Sequence, residues 1–234
     1  MQKLIETINK IEKVDCFLAE SAQKRLNNLT KPQGSLGRLE ELAMQVVGIT
    51  GKENPLTKEK VIFTMAGDHG VTEEGVSAYP KEVTVQMVYN FIRGGAGINI
   101  LARHVGARVI VIDIGVACDL DPHPDLNIKK VNYGTRNMAQ GPAMSRDEAI
   151  LAIENGMEAF EEEAAKGGVD IIGTGDMGIG NTTPSSAITA LITGEPVENV
   201  TGRGTGIDNG SLARKIEVIK KAIDINKPDP NDAI

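Results

Sequence analysis

The sequence predicts an α/β fold with a mainly parallel sheet flanked by helices, joined to a small helical domain from the N-terminal region. Three short apolar runs carry most of that prediction: "VIFTMAG" from Val61, "RVIVIDIGV" from Arg108 and "VDIIG" from Val169. Their unbroken hydrophobicity is that of strands buried on both faces. Helical patterns separate them, and alternating strands and helices imply a parallel, Rossmann-like sheet. Residues 51–234 form this α/β domain and residues 1–50 the small helical one.

The elements follow in order. "MQKLIETINKIEKVD" reads as an amphipathic helix with Leu4, Ile8 and Ile11 on one face, not as a signal peptide. The polar, helical stretch to residue 50 contains "LTKPQGSLGRLEELA". Ser145 and Glu148 have the spacing of a capping box, and Ile150, Ile153, Met157, Phe160 and Ala164 recur at helical spacing until Gly167. Another helix follows Pro184 and ends near Gly194, and the next carries Leu212, Ile216, Ile219 and Ile223 on one stripe. The closing "NKPDPNDAI" reads either as a frayed tail or as a turn leading into a helix cap.

Composition narrows the function. Apolar residues make up 41% of the 234, enough for a full core, but aromatics are only 3%, too few for base-stacking platforms. A net charge of −7 argues against a nucleic-acid or anionic-membrane surface. No run approaches the roughly 18 apolar residues a membrane span needs. Cys16 and Cys118 are far apart and form no CxxC pair, and the three histidines show no HExxH spacing. The expectation is a soluble, cytoplasmic protein without a metal site or cofactor.

"GTGDMGIGNTTP", residues 173–184, follows an apolar run and precedes a helix. Glycines 173, 175 and 178 satisfy GxGxxG, yet Asp176 would face a pyrophosphate and the helix begins only near Thr183 and Pro184. A division of tasks fits better. Backbone N–H groups of Gly178, Ile179 and Gly180 could cradle one phosphate. Asp176 could accept from ribose hydroxyls or face a developing positive sugar, with Asn181, Thr182 and Thr183 orienting either group. The competing reading is a glycine-rich turn before a capped helix. "TGRGTGID" from Thr201 adds Arg203, a phosphate clamp or a loop brace. In "AGDHGVTEEGVSAYP", Asp68 and His69 suit a metal, a general base or a structural Asp–His turn. There is no Walker A lysine motif, no GxSxG elbow, and no acidic pair preceding a TG phosphate loop.

Taken together, "TKPQGSLGRLE", "AGDHGVTEEGVSAYPKEVTVQM", "GTGDMGIGNTTPSSA" and "GRGTGID" resemble the nicotinate-nucleotide–dimethylbenzimidazole phosphoribosyltransferase (CobT) family of cobalamin synthesis, from about residue 25 to the end. The resemblance implies transfer of phosphoribose from nicotinate mononucleotide to 5,6-dimethylbenzimidazole, giving α-ribazole 5′-phosphate and nicotinate. It places Gly178 and Gly180 on the phosphate. Asp176 falls where many members carry glutamate, near the sugar and the reacting bases. Ser77 and Gln86 fall in the motif lining the benzimidazole pocket, with Tyr79 and Met87 nearby, and Lys215 matches a basic position near the phosphate. It also implies a homodimer and a general-base glutamate in a C-terminal segment that no residue here matches. On that basis the chain is expected to be a fragment, a truncated product or one half of a split enzyme, a separate C-terminal segment completing it.

Overall fold

The computed structural model describes residues 1–14 and 16–234; Asp15 and the side chain of Cys16 lie outside the described residues. The chain divides into two units, Gln2–Lys58 and Glu59–Ile234, the second including Met1.

The N-terminal unit holds α1 (Gln2–Asn9), α2 (Cys16–Asn27) and α3 (Arg38–Thr50). The first helix is shorter than its apolar spacing predicts: it closes in a turn from Thr7 to Lys10, leaving Ile8 and Ile11 exposed and Leu4 alone of that face buried. Leu18, Leu26, Leu39, Leu42 and Val46 line a groove between α2 and α3. The "TKPQGSLGRLE" motif has a structural explanation within this unit. Glu40, buried at the start of α3, accepts from Lys31 Nζ at 2.7 Å and from the Leu36 N–H at 3.1 Å. The Lys31 ammonium hydrogen bond is the main reason its carboxyl is held below the usual range.

In the second unit β1 (Lys60–Gly67), β2 (Ala107–Gly115), β3 (Leu126–Ile128) and β4 (Ile171–Met177) form one parallel sheet in the order β3-β2-β1-β4. The first two runs fold within a residue of their expected bounds. The third starts at Ile171 and continues to Met177, so five of the twelve residues of the glycine-rich stretch are strand and only residues 178–181 turn; it is an edge strand with Ile171 and Ile172 exposed, not one buried on both faces as its apolar run predicts. The strand β3 was not foreseen, because three residues are too few to show a period.

Alternation on the two central strands covers both faces. Val61, Phe63 and Ile112 pack with Ala159 of α6 (Arg146–Gly167), while Ala66 and Val111 pack with Val88 of α4 (Val83–Ile92). Helix α5 (Gly97–Val105) completes the β1–β2 crossover. Beyond β4 come α7 (Thr182–Thr193), the single-turn α8 (Val197–Val200) and α9 (Asn209–Asn226). Ala187 and Ala190 of α7 meet Ile219 of α9 in a small core of their own. No helix among the described residues is long and apolar enough to cross a membrane.

The capping box of α6 forms as its spacing predicts. The Glu148 N–H donates to Ser145 Oγ at 3.2 Å, and the Ser145 N–H returns the bond to Glu148 Oε2 at 2.6 Å. That backbone hydrogen bond is the first cause of a Glu148 pKa lowered to about 2. A carboxyl with a depressed folded pKa contributes stability above its unfolded value, lost as pH falls through the folded one. Denaturation from pH 5 down to about 2 should therefore show wild-type protein losing its advantage over Glu148→Gln, and a constant gap would remove the linkage.

With β2 on one side of β1 and β4 on the other, the chain reverses its direction of progress across the sheet between β1 and β4. In open parallel sheets a ligand crevice forms beyond the carboxyl ends of the strands at such a switch point. The ends concerned are Gly67–Asp68–His69 and Met177–Gly178.

Candidate functional site

At that switch point the glycine turn is fitted against the end of β1. A Cβ on Gly178 would lie 2.0 Å from the Gly67 carbonyl oxygen and 2.9 Å from the His69 ring. Glycine is needed here for close approach, whereas Gly180 needs it for its φ of 86°. Gly178→Ala forces two backbones apart, and overpacking of this kind typically costs about 1–3 kcal/mol. Urea denaturation should show that loss; an unchanged midpoint would mean the turn has room to move.

The turn divides its backbone donors. Ile179 is buried and its N–H donates to Thr84 Oγ1 at 3.1 Å. It braces the turn on α4 and has no free donor for an anion, which corrects the expected three-residue cradle. The N–H groups of Gly180 and Thr182 meet no protein acceptor among the described residues. They remain available at the N-terminus of α7, where the helix dipole favours an anion. Thr84 went unread as a site residue, although it lies inside the "PKEVTVQM" stretch.

Ser77, Gly178, Ile179, Gly180, Asn181, Thr182, Arg203 and Lys215, all expected site residues, line one cavity of ≈ 180 Å³. Lys215, on the first turns of α9, is 1% exposed. Its ammonium donates to Thr182 Oγ1 at 2.6 Å and to the Gly202 carbonyl at 3.2 Å. Among the described residues no carboxylate pairs with it. Burial pushes its pKa down. A buried cation without a counter-ion is costly unless something supplies the negative charge. Gly204, at φ 55°, closes the cavity: a Cβ there would meet Thr182 Oγ1 at 2.9 Å. Arg203 reaches this cavity, but its guanidinium donates to the Ile207 carbonyl and Asn209 Oδ1, so it braces its own loop.

Asp176, the second-to-last residue of β4, lines a neighbouring cavity of ≈ 230 Å³ with Asp68, His69 and Met177; Met177 borders both cavities. Asn181 Nδ2 donates to Asp176 Oδ2 at 2.7 Å, tying the carboxylate to the glycine turn. Asp68 Oδ2 accepts from the Ala117 N–H at 2.8 Å and its carbonyl from the Thr135 N–H at 3.0 Å, while its buried Oδ1 has no hydrogen-bond partner among the described residues. His69 touches the Gly178 turn, and burial holds its pKa down against the upward pull of Asp176 and Asp68. Tyr79, Gln86 and Met87 line neither cavity; Tyr79 is 52% exposed before α4, and Gln86 and Met87 lie on it. Thr183 is fully buried, and its Oγ1 has no hydrogen-bond partner among the described residues.

An uncompensated lysine, free helix N-terminal donors and a neighbouring oriented carboxylate suit an anionic, sugar-bearing ligand. A phosphoribosyltransferase family model matches residues 11–234. A Geobacter sulfurreducens protein named nicotinate-nucleotide–dimethylbenzimidazole phosphoribosyltransferase is 58% identical over all of this chain and 66% of its own length. A Chloroflexus aggregans protein of the same name is 56% identical with the same coverage. The crystal structure of CobT from Thermus thermophilus superposes with a TM-score of 0.87 at 44% identity, over 92% of this chain and 64% of that one. The chain thus spans about two thirds of the length of the curated relatives it matches. It belongs to the nicotinate-nucleotide–dimethylbenzimidazole phosphoribosyltransferase family.

Proposed function

We propose that the chain handles phosphoribosyl transfer from nicotinate mononucleotide to 5,6-dimethylbenzimidazole, a step of cobalamin lower-ligand synthesis giving α-ribazole 5′-phosphate and nicotinate. The observation that carries the reading is Lys215, a buried ammonium facing a glycine turn with no carboxylate partner among the described residues. A ligand phosphate supplies the missing charge. It is held by Lys215 and by the N–H groups of Gly180 and Thr182, which anchors the ribose near Asp176.

The bond from C1′ to the nicotinate ring nitrogen breaks, and its electron pair leaves with nicotinate. A benzimidazole nitrogen bonds C1′ from the opposite face, so the β-nucleotide becomes an α-nucleotide, and the acceptor's N–H proton passes to solvent water. The pyridinium is already a good leaving group. What this chain adds is alignment, plus a carboxylate at Asp176 opposite the positive charge growing on the sugar. A cytoplasmic homodimer completes the reading, supported by the family resemblance and checked by light scattering.

Purified protein mixed with nicotinate mononucleotide and dimethylbenzimidazole should release nicotinate and form α-ribazole phosphate. Parallel reactions with adenine and a phenolic acceptor test the base, since Tyr79, Gln86 and Met87 lie outside both cavities. Nucleotide binding without product in every reaction would replace transfer by binding alone.

A further inference from the structure

His69 is a titratable group at the switch point to which the proposed reaction gives no task. Its ring lies against the phosphate turn: a Cβ on Gly178 would be 2.9 Å from both Nε2 and Cδ2. Its backbone is fixed as well. The His69 carbonyl accepts from the Thr72 N–H at 3.1 Å and from Thr72 Oγ1 at 2.8 Å. The Thr72 methyl in turn would lie 2.8 Å from a Cβ on Gly180. His69 and Thr72 thus form one wall against which residues 178–180 are seated.

The same ring borders the cavity that holds Asp176. The charged groups lining that cavity are Asp176 from β4, Asp68 from the end of β1, Arg136 from the loop after β3 and Glu148 from α6. On the phosphoribosyl-transfer reading, on which this rests, we propose that His69 is a positioning residue: a neutral ring that seats the phosphate turn and leaves the negative charge of Asp176 uncompensated.

The electrostatics follow from the geometry. Asp176 is exposed in the empty site, so an imidazolium beside it would pair with it and cancel part of the field the carboxylate exerts on C1′, most strongly once a bound nucleotide has displaced the water. Burial disfavours the imidazolium, while Asp176 and Asp68 favour it, and burial is the larger effect. The ring is therefore neutral at neutral pH and takes up its proton on the acid side, where turnover should fall. The chemistry itself is unaltered: His69 takes no proton from the substrate and touches none of the reacting atoms.

Two measurements test this. In turnover, the wild-type kcat should fall on the acid side with the His69 titration. His69→Gln cannot titrate, so it should lose that limb, and its KM for nicotinate mononucleotide should rise several-fold as the turn loosens. His69→Phe, which keeps a neutral ring, should lose the limb with a smaller change in KM, and it serves if the glutamine variant does not fold. Independently of turnover, an NMR titration of the His69 ring should give a lower midpoint in Asp176→Asn than in wild type, because the carboxylate no longer favours the charged form. An acid limb retained in both variants, or an identical midpoint with and without the Asp176 charge, overturns the proposal. If no nicotinate is released by wild type, the transfer reading fails, while the NMR comparison still decides whether His69 and Asp176 are coupled.

Discussion

Lys215→Met is expected to weaken nicotinate mononucleotide binding roughly 10- to 150-fold while leaving thermal stability unchanged or slightly raised. A hydrogen bond to a charged group contributes about 1.5–3 kcal/mol, which sets the range. The opposite sign in stability follows from burial. Lys215 is 1% exposed and pairs with no carboxylate among the described residues, so the empty site carries a desolvated charge. Methionine has a similar length and no charge to desolvate, although it leaves Thr182 Oγ1 and the Gly202 carbonyl without this donor. The two effects nearly offset. A pH test adds a second sign. Burial lowers the folded pKa below the ordinary lysine value, so the unfolded chain binds more protons between the two values. Wild-type stability relative to Lys215→Met should therefore rise with pH through that window. Calorimetric titration with nicotinate mononucleotide and thermal melts at several pH values measure both. Undiminished binding would place the phosphate elsewhere.

How much of this was legible in the sequence depends on the range of the interaction concerned. The strands at Val61 and Arg108 were readable because strands buried on both faces are continuous apolar runs, and the Ser145–Glu148 box because its signal is contained in four residues. The third strand was misplaced at both ends. Gly173, Thr174 and Gly175 carry turn composition, yet they pair with Ile62, Phe63 and Thr64 of β1, a partnership 111 residues away in sequence that local propensity does not report.

The site shows the same division. The residues sharing the ≈ 180 Å³ cavity come from three separate motifs that the resemblance brought together: Ser77, the turn at residues 178–182, and Arg203 with Lys215. The task of each was less visible. Ile179 was expected to offer its N–H to a phosphate, but that donor is satisfied by Thr84, 95 positions earlier. Gly178 was read as an N–H donor, whereas its missing Cβ is what lets the turn lie against the Gly67 carbonyl. Arg203 divides its donors between the Ile207 carbonyl of its own loop and Asn209, the first residue of α9. In each case the deciding partner is a backbone group or a polar side chain whose position exists only once the chain has folded.

Asp176→Asn is expected to lower turnover by about two orders of magnitude with little change in nucleotide binding. Removing one electrostatic group at a reacting centre typically raises the barrier by about 3 kcal/mol. The substitution isolates charge from geometry unusually well here. Asn181 Nδ2 donates to Asp176 Oδ2 at 2.7 Å, and an asparagine oxygen in the same place still accepts that bond, so the turn stays seated. What disappears is the negative charge that the proposed reaction sets beside the sugar. Its interaction strengthens as positive charge moves from the pyridinium onto C1′, so the loss falls more on kcat than on the affinity for the ground-state nucleotide. A bracing role predicts the reverse: with the hydrogen bond preserved, turnover would be kept. The comparison with Asn181→Leu separates the two further, because that variant keeps the charge and removes its orienting donor, and should lose less turnover than Asp176→Asn. Full turnover in Asp176→Asn would leave the carboxylate as a loop brace and move the stabilisation of the sugar to another group.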